Sequence, residues 1–200
     1  MSTTEETGRP GKYQRSAFGL VVAMVTTVVA VALAIWVMGW FRHTPSATPP
    51  QVDYLARVAD MQQQKQPAVY PASLPDGYTA TQARVPDDYD GFEIDLLRGD
   101  TANADFIGIR TARTANIAAL VHQDVDANAT SIASYDVPST VASPLAPSWV
   151  GFQDDHGDTG YAAQVGQLSV LVYGSAPAAD LQQVVDALTT APVPTGRKGM

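Results

Sequence analysis

The chain has 200 residues, no cysteine, and 12 basic against 20 acidic side chains, a formal net charge of −8. The missing cysteine excludes disulfides, thiolate metal sites, cysteine nucleophiles and lipid attachment at a lipoprotein cysteine. The acidic balance keeps a folded domain soluble and disfavours nucleic acid and anionic lipid as partners.

Residues 1–16 are polar, with glycine and proline and no apolar periodicity, and read as a disordered tail. From Ala17 to Phe41 (AFGLVVAMVTTVVAVALAIWVMGWF) no residue is charged. At about 1.5 Å per residue a helix over this run reaches about 37 Å, against a hydrocarbon core of about 30 Å. It is longer than a signal h-region and ends in Val-Met-Gly-Trp-Phe, a poor cleavage site, so the expectation is an uncleaved transmembrane helix rather than a secretory signal. Arg9, Lys12 and Arg15 precede it, and only Arg42 follows closely. The bias of basic residues then puts the N-terminus in the cytoplasm and everything after the span outside. Trp36, Trp40 and Phe41 cluster at the outer end, where amphipathic rings favour the headgroup layer; with Ala17 they mark the limits of the anchor. The portion beyond the anchor holds 9 bases and 18 acids.

After the span, residues 42–67 read as a proline-rich spacer (TPSATPP, Thr44 to Pro50) followed by a juxtamembrane helix in VDYLARVADMQQQ, ended by Pro67. Val52, Leu55, Ala59 and Met61 form its narrow apolar stripe. Residues 68–191 are long enough for one domain with a core of its own. Pro75-Asp76-Gly77 makes the entry turn, and Tyr78–Val85 is the first strand. Phe92, Ile94 and Leu96 alternate through the second, and Asp105–Thr111 is the third. The period then changes: Ile117, Leu120, Val121 and Val125 share one helical face. Between Asp126 and Pro147 the chain is small and polar, with one short strand near Ile132–Val137. Trp149–Gln153, Tyr161–Val165 and Leu168–Tyr173 are further strands, the last two joined by a tight turn at Gly166-Gln167. Ser175 is the predicted cap of a last helix, with Pro177 in its first turn and Leu181, Val184, Val185 and Leu188 on its apolar face. Residues 192–200 read as a loose tail. The order, strands then helix twice over, hints at a duplicated unit. The predicted class is α+β: a single N-terminal transmembrane helix followed by one extracytoplasmic domain with an antiparallel sheet packed by two helices.

The anchor, PASLPDGY opening the domain (Pro71 to Tyr78), Trp149 after a proline-containing loop, and the closing SVLVYGSAPAADLQQVVDAL (Ser169 to Leu188) resemble actinobacterial membrane-anchored proteins grouped as domain of unknown function family 4245. Family members more often carry tryptophan at the position of Tyr78 and in the strand holding Phe92. The resemblance implies an extracytoplasmic α+β domain; it carries over no catalytic residue.

Asp154, Asp155 and Asp158, with His156 and Gly157 between them, are the candidate metal ligands, because a hard cation wants several converging carboxylate oxygens. Their spacing departs from the EF-hand pattern, and the same composition makes a solvated turn. Asp87, Asp88 and Asp90 form a second acidic loop, which would share an ion with the first if both lay at one end of the sheet. Arg98-Gly99-Asp100 spells an adhesion tripeptide and is also ordinary turn chemistry; Asn128-Ala129-Thr130 is a formal glycosylation acceptor. The chain has no Gly-x-Ser-x-Gly elbow, Walker loop, dinucleotide fingerprint or His-Glu-x-x-His, and His43, His122 and His156 are its histidines. The expected function is therefore a non-catalytic interaction or sensing domain in the cell envelope, with no cofactor, a membrane anchor and a protein partner. The alternatives are a small-ligand or lipid-binding domain, with Trp149, Tyr161 and Tyr173 near its groove, and a calcium-binding or carboxylate-dependent hydrolase domain.

Overall fold

The computed structural model describes residues 21, 24–31, 50–86, 90–99, 104–114 and 116–194. The chain divides into two compact units, Met1–Pro45 and Ser46–Met200. In the first unit the described residues are helical. Ala17, Trp36, Trp40 and Phe41 lie outside the described residues, and among the described residues no helix is long and apolar enough to cross a membrane.

The second unit is an α+β domain built on one antiparallel sheet. Its elements in order are α1 (Tyr54–Gln63), β1 (Tyr70–Pro71), β2 (Thr79–Arg84), β3 (Gly91–Arg98), β4 (Asp105–Ala112), α2 (Ile117–Asp124), β5 (Thr130–Asp136), β6 (Ser148–Gln153), β7 (Thr159–Val165), β8 (Leu168–Gly174), α3 (Ala178–Ala187) and β9 (Leu188–Thr189). Seven strands form the sheet in the order β2-β3-β4-β8-β7-β6-β5, every pair antiparallel; β1 and β9 make a separate two-stranded ladder.

Strand alternation sends residues to two different layers. Ile94, Leu96, Ile107, Ile109, Val170 and Val172 face α1 and α3 in the main core, with Trp149 and Leu181 also fully buried there. On the other side Leu171, Ala162 and Ala112 meet Leu120 and Val121 of α2. The predicted helical face of α2 is therefore the buried one, and Asn116 caps it by accepting the Ala119 N–H at 3.1 Å.

Three helices, rather than two, pack on the sheet. The predicted juxtamembrane helix is present as α1 and packs into the domain: Tyr54, Val58 and Met61 are buried in the main core, and the Tyr54 hydroxyl donates to the Pro71 carbonyl at 2.9 Å. The stripe runs i, i+4, i+7 from Tyr54 and leaves Ala59 outside the buried set. The helix also ends before Pro67. Lys65 takes a positive φ of 57°, its N–H reaches Gln62 O at 3.0 Å and the Gln66 N–H reaches Met61 O at 2.9 Å, the paired bonds of a Schellman stop. The chain end is tied to the same helix: Gln62 donates to Ala191 O at 2.9 Å and accepts the Val193 N–H at 3.0 Å, so the domain continues past residue 191.

Two further expectations change at the last helix. Pro177 is its N-cap and Ser175 is not; the Ser175 hydroxyl accepts the Phe106 N–H at 3.1 Å, pinning the exit of β8 to the start of β4. Leu188 is buried, but in β9 opposite Pro71 rather than on the helix. A repeat is visible in the strand order alone. β2-β3-β4 and β6-β7-β8 are two meanders joined through β4 and β8. The two-fold that relates antiparallel neighbours stands normal to the sheet and would leave both following helices on one face, whereas α2 and α3 cover opposite faces.

The packing of α1 is testable. Met61→Ala is expected to lower the stability of the domain by about 2 kcal/mol or more in urea unfolding, the cost of a buried large-to-small change; a helix outside the fold would show no change.

Candidate functional site

The predicted acidic ligand set sits in the β6–β7 turn, where Asp154 is used by the turn itself. Its Oδ1 accepts the N–H groups of His156 and Asp158, both at 2.8 Å, and its backbone N–H reaches the Asp158 carbonyl at 3.0 Å. Asp155 and His156 point to solvent. Burial, with the charge of Asp154 behind it, raises the Asp158 carboxyl above its ordinary value. Among the described residues no group of three His, Asp or Glu side chains is placed to hold a metal. Asp90, the described acid of the second loop, does not join it. Asp90 lies where Gly91 pairs with Ala112 and Ala112 with Ser169, while Thr159, at the acidic turn, pairs with Gly174 and Gln153 at the opposite end of the sheet. Asp87, Asp88 and Asp100 lie outside the described residues.

The most concentrated chemistry is a cross-strand charge ladder that carries no sequence motif. On the α2 side of β2, β3 and β4, the register puts Arg84 opposite Glu93 and Glu93 opposite Arg110. Arg84 Nε lies 2.7 Å from Glu93, Arg110 Nε lies 3.6 Å from it, and Arg110 Nη1 donates to Asp95 at 2.7 Å. Arg110 and Glu93 are both buried, at 7% and 4% exposure. Tyr173 closes the ladder, its ring centroid 5.4 Å from the Arg110 guanidinium carbon. Gly108 makes this possible, because a Cβ there would meet the Tyr173 ring at 2.6 Å. Arg110 Nη1 also donates to the Ile94 and Ile109 carbonyls, at 3.4 and 3.2 Å, so the ladder holds the strands in register. Glu93 and Asp95 alternate with the apolar residues of β3, a signal visible in the sequence; their arginine partners on β2 and β4 depend on register.

Arg98 is likewise committed inward. It bridges Asp105 and Asp180, each at 2.8 Å, and lies over the Tyr78 ring at 4.5 Å. The Tyr78 hydroxyl donates to the same Asp180 at 3.1 Å. The arginine of the Arg-Gly-Asp tripeptide thus joins β3, β4 and α3 instead of standing out as a recognition group. Of the predicted groove aromatics, Trp149 and Tyr161 are core residues; the Trp149 indole donates to Ala146 O at 3.3 Å and the Tyr161 hydroxyl accepts from Gln182 at 2.9 Å. His122 is exposed on α2. A cleft of about 290 Å³ lies elsewhere, between the end of α1 and the sheet, with Met61, Val85, Phe92 and Leu168 on its apolar side and the exposed Asp90–Arg113 pair (3.2 Å) at its rim.

The feature left open is an edge. β5 ends the sheet, pairing only with β6, and among the described residues no backbone group bonds to its outer side. Of its seven residues, Ile132 and Tyr135 are half-buried and the rest exposed. The pairing slips between Ile132 and Tyr135, and Gly151 accommodates the slip, because a Cβ there would lie against the Ala133 carbonyl. The Tyr135 hydroxyl donates to Asp186 of α3 at 3.0 Å, fixing the strand to the core. The sequence predicts a short strand near Ile132–Val137, and β5 starts two residues earlier and stops one earlier; that it lies at the edge follows only from the sheet order.

Two outcomes test the polar framework. Arg110→Leu removes the buried guanidinium that Glu93 and Asp95 share and is expected to cost about 3–5 kcal/mol in urea unfolding, whereas Arg84→Ala, at an arginine whose side chain is 55% exposed and whose loss leaves Arg110 beside Glu93, costs about 1 kcal/mol or less. Alkaline pH tests the phenols. Burial first, then the bond to Asp186, pushes Tyr135 up to about 12, and burial pushes Tyr173 up to about 12 against the opposing pull of Arg110. The ordinary phenol value is 10.0, so above it the folded chain keeps protons that the unfolded chain releases. Their contribution is whole below pH 10 and is lost as pH rises through about 12. Urea midpoints should fall across that range, and Tyr135→Phe should flatten the fall.

Comparison with curated proteins and with solved structures finds no match. A protein-family model does match, over residues 12–188, and its description is "Protein of unknown function (DUF4245)". The chain belongs to that family.

Proposed function

We propose that this chain is a single-pass membrane protein whose domain stands on the extracytoplasmic side and works as a non-catalytic interaction or sensing module of the cell envelope. The observation that carries the interaction reading is the open β5 edge. The side chains that looked like candidate chemistry are spent on structure: Asp154 on its turn, Arg98 on Asp105 and Asp180, Arg110 on Glu93 and Asp95. What faces outward unused is a strand's backbone, and an exposed strand edge is a template for another chain.

The anchor rests on the uncharged run from Ala17 to Phe41 and on the basic residues before it. Within that run Val21, Met24, Val25, Val28, Val29 and Val31 are each more than half exposed. They share one side of the helix, with Thr26, Thr27 and Ala30 on the other, and an uncharged helical segment that exposes its large apolar side chains is matched to a hydrocarbon surround.

Fractionation and topology mapping test the reading together. The full chain should stay with membranes through alkaline carbonate extraction, protease added outside intact cells should remove a C-terminal tag, and in-cell crosslinking should recover a reproducible envelope partner. Recovery in the soluble fraction, or a tag protected until the membrane is opened, would overturn the anchor and its orientation. Repeated crosslinking without a partner would overturn the interaction role.

A further inference from the structure

The charge of this domain is divided along its sequence, and the division falls beside the open edge. Between Arg113 and Arg197 the chain holds eight aspartates and no lysine or arginine. This stretch supplies β5, β6, β7, β8 and α3, so the half of the sheet that ends in β5 contributes acidic groups alone. The basic residues that neutralise acids on the other half, Arg84, Arg98, Arg110 and Arg113, all sit on or just after β2, β3 and β4.

Around β5 the acids stand at both ends of the strand. Asp136 closes it, exposed, opposite Ser148. At the other end Thr130 pairs with Gln153, which leads directly into Asp154 and the exposed Asp155. Asp126 lies in the turn that enters the strand, accepting the Asn128 N–H at 2.7 Å. Between these ends the strand itself is uncharged and holds neither lysine nor proline, two of the devices by which natural edges repel added strands. At about 3.4 Å per residue the acidic ends are about 20 Å apart, the length of a six- or seven-residue extended peptide.

We propose that β5 receives an extended, basic segment of a partner protein as an eighth strand, with its backbone paired to the open edge and its lysine or arginine side chains directed to the acids at either end. This rests on the interaction reading above and names its site and the chemistry of its partner. Charge complementarity selects that occupant over a second copy of this chain, whose own β5 would bring a second set of aspartates to the same edge. Main-chain bonds supply the attraction in this arrangement, and the flanking charges supply the choice of partner.

Hydrogen exchange on the purified full-length chain in detergent tests the proposal. The probe is a capped seven-residue peptide of alternating threonine and valine with lysine at each end; its twin carries glutamate at the ends. The lysine peptide should slow amide exchange in residues 130–136 and leave β2, at the other edge, unchanged. The glutamate twin should give no protection. Asp136→Lys with Asp155→Lys, both exposed positions, should weaken binding of the lysine peptide by about tenfold or more while exchange in β3 and β4 stays native. Equal protection by both peptides, protection centred on β2 or elsewhere, or an affinity unmoved by the charge reversals would each overturn the proposal. So would concentration-dependent dimerisation that protects β5 with no peptide present, since the occupant would then be a second copy. If the peptide fails while in-cell crosslinks persist, the edge assignment falls and the interaction role stands; if the peptide binds but no partner is crosslinked, the converse holds.

Discussion

The pairing of β4 with β8 is the joint on which this domain depends. Gly108 to Ala112 run opposite Tyr173 to Ser169, and this single ladder turns two separate meanders into one sheet. Both layers of side chains cross it. On one side Ile109 and Val172 carry the main core from α1 toward α3; on the other Arg110 lies beside Leu171, with Tyr173 over Gly108. The strands are about sixty residues apart in sequence, so closing this ladder brings together parts of the chain with little local encouragement to meet. The Ser175 hydroxyl on the Phe106 amide and the Arg98–Asp180 bridge fasten the same seam from its end.

A buried ion pair is a poor source of net stability, because desolvation offsets much of the attraction. The Arg84–Glu93–Arg110–Asp95 ladder is better understood through register. Sliding β3 by one residue would send Glu93 and Asp95 into the apolar layer beside Ile107 and Ile109 and turn Ile94 and Leu96 out of it, which is far more costly than losing a contact. The ladder thus makes one alignment of β2, β3 and β4 favourable and its neighbours prohibitive. No comparable ladder occurs among the described residues of β5 and β6, whose pairing slips at Ala133 and relies on Gly151 for room. The strand with the least internal specification is also one of the two that end the sheet.

Local structure was written plainly in the sequence. The strands of the main sheet and the helices at 117–124 and 178–187 followed from periods of two and of 3.6, together with Gly166-Gln167 at the β7–β8 hairpin. The failures have a common cause. α1 read as a juxtamembrane helix outside the domain because its stripe is narrow, and only burial of Tyr54, Val58 and Met61 makes it part of the core. Ser175 looked like a cap because serine before a helix usually is one, but its hydroxyl serves an amide 69 residues away. Asp154 looked like a ligand by composition, whereas its Oδ1 accepts two neighbouring amides and holds the turn.

By itself the sequence determined the kinds of element, the α+β class, the family resemblance, the acidic charge and the exclusion of cysteine chemistry, because each of these depends on composition or on spacing within a few residues. Tertiary structure alone decided which strands end the sheet, which face each helix covers, that Asp90 and the β6–β7 turn lie at opposite ends, and that Arg84, Glu93 and Arg110 stand in one row. Those are facts of register and strand order, set by the free energy of burying the whole sheet at once, and no local window of sequence contains them.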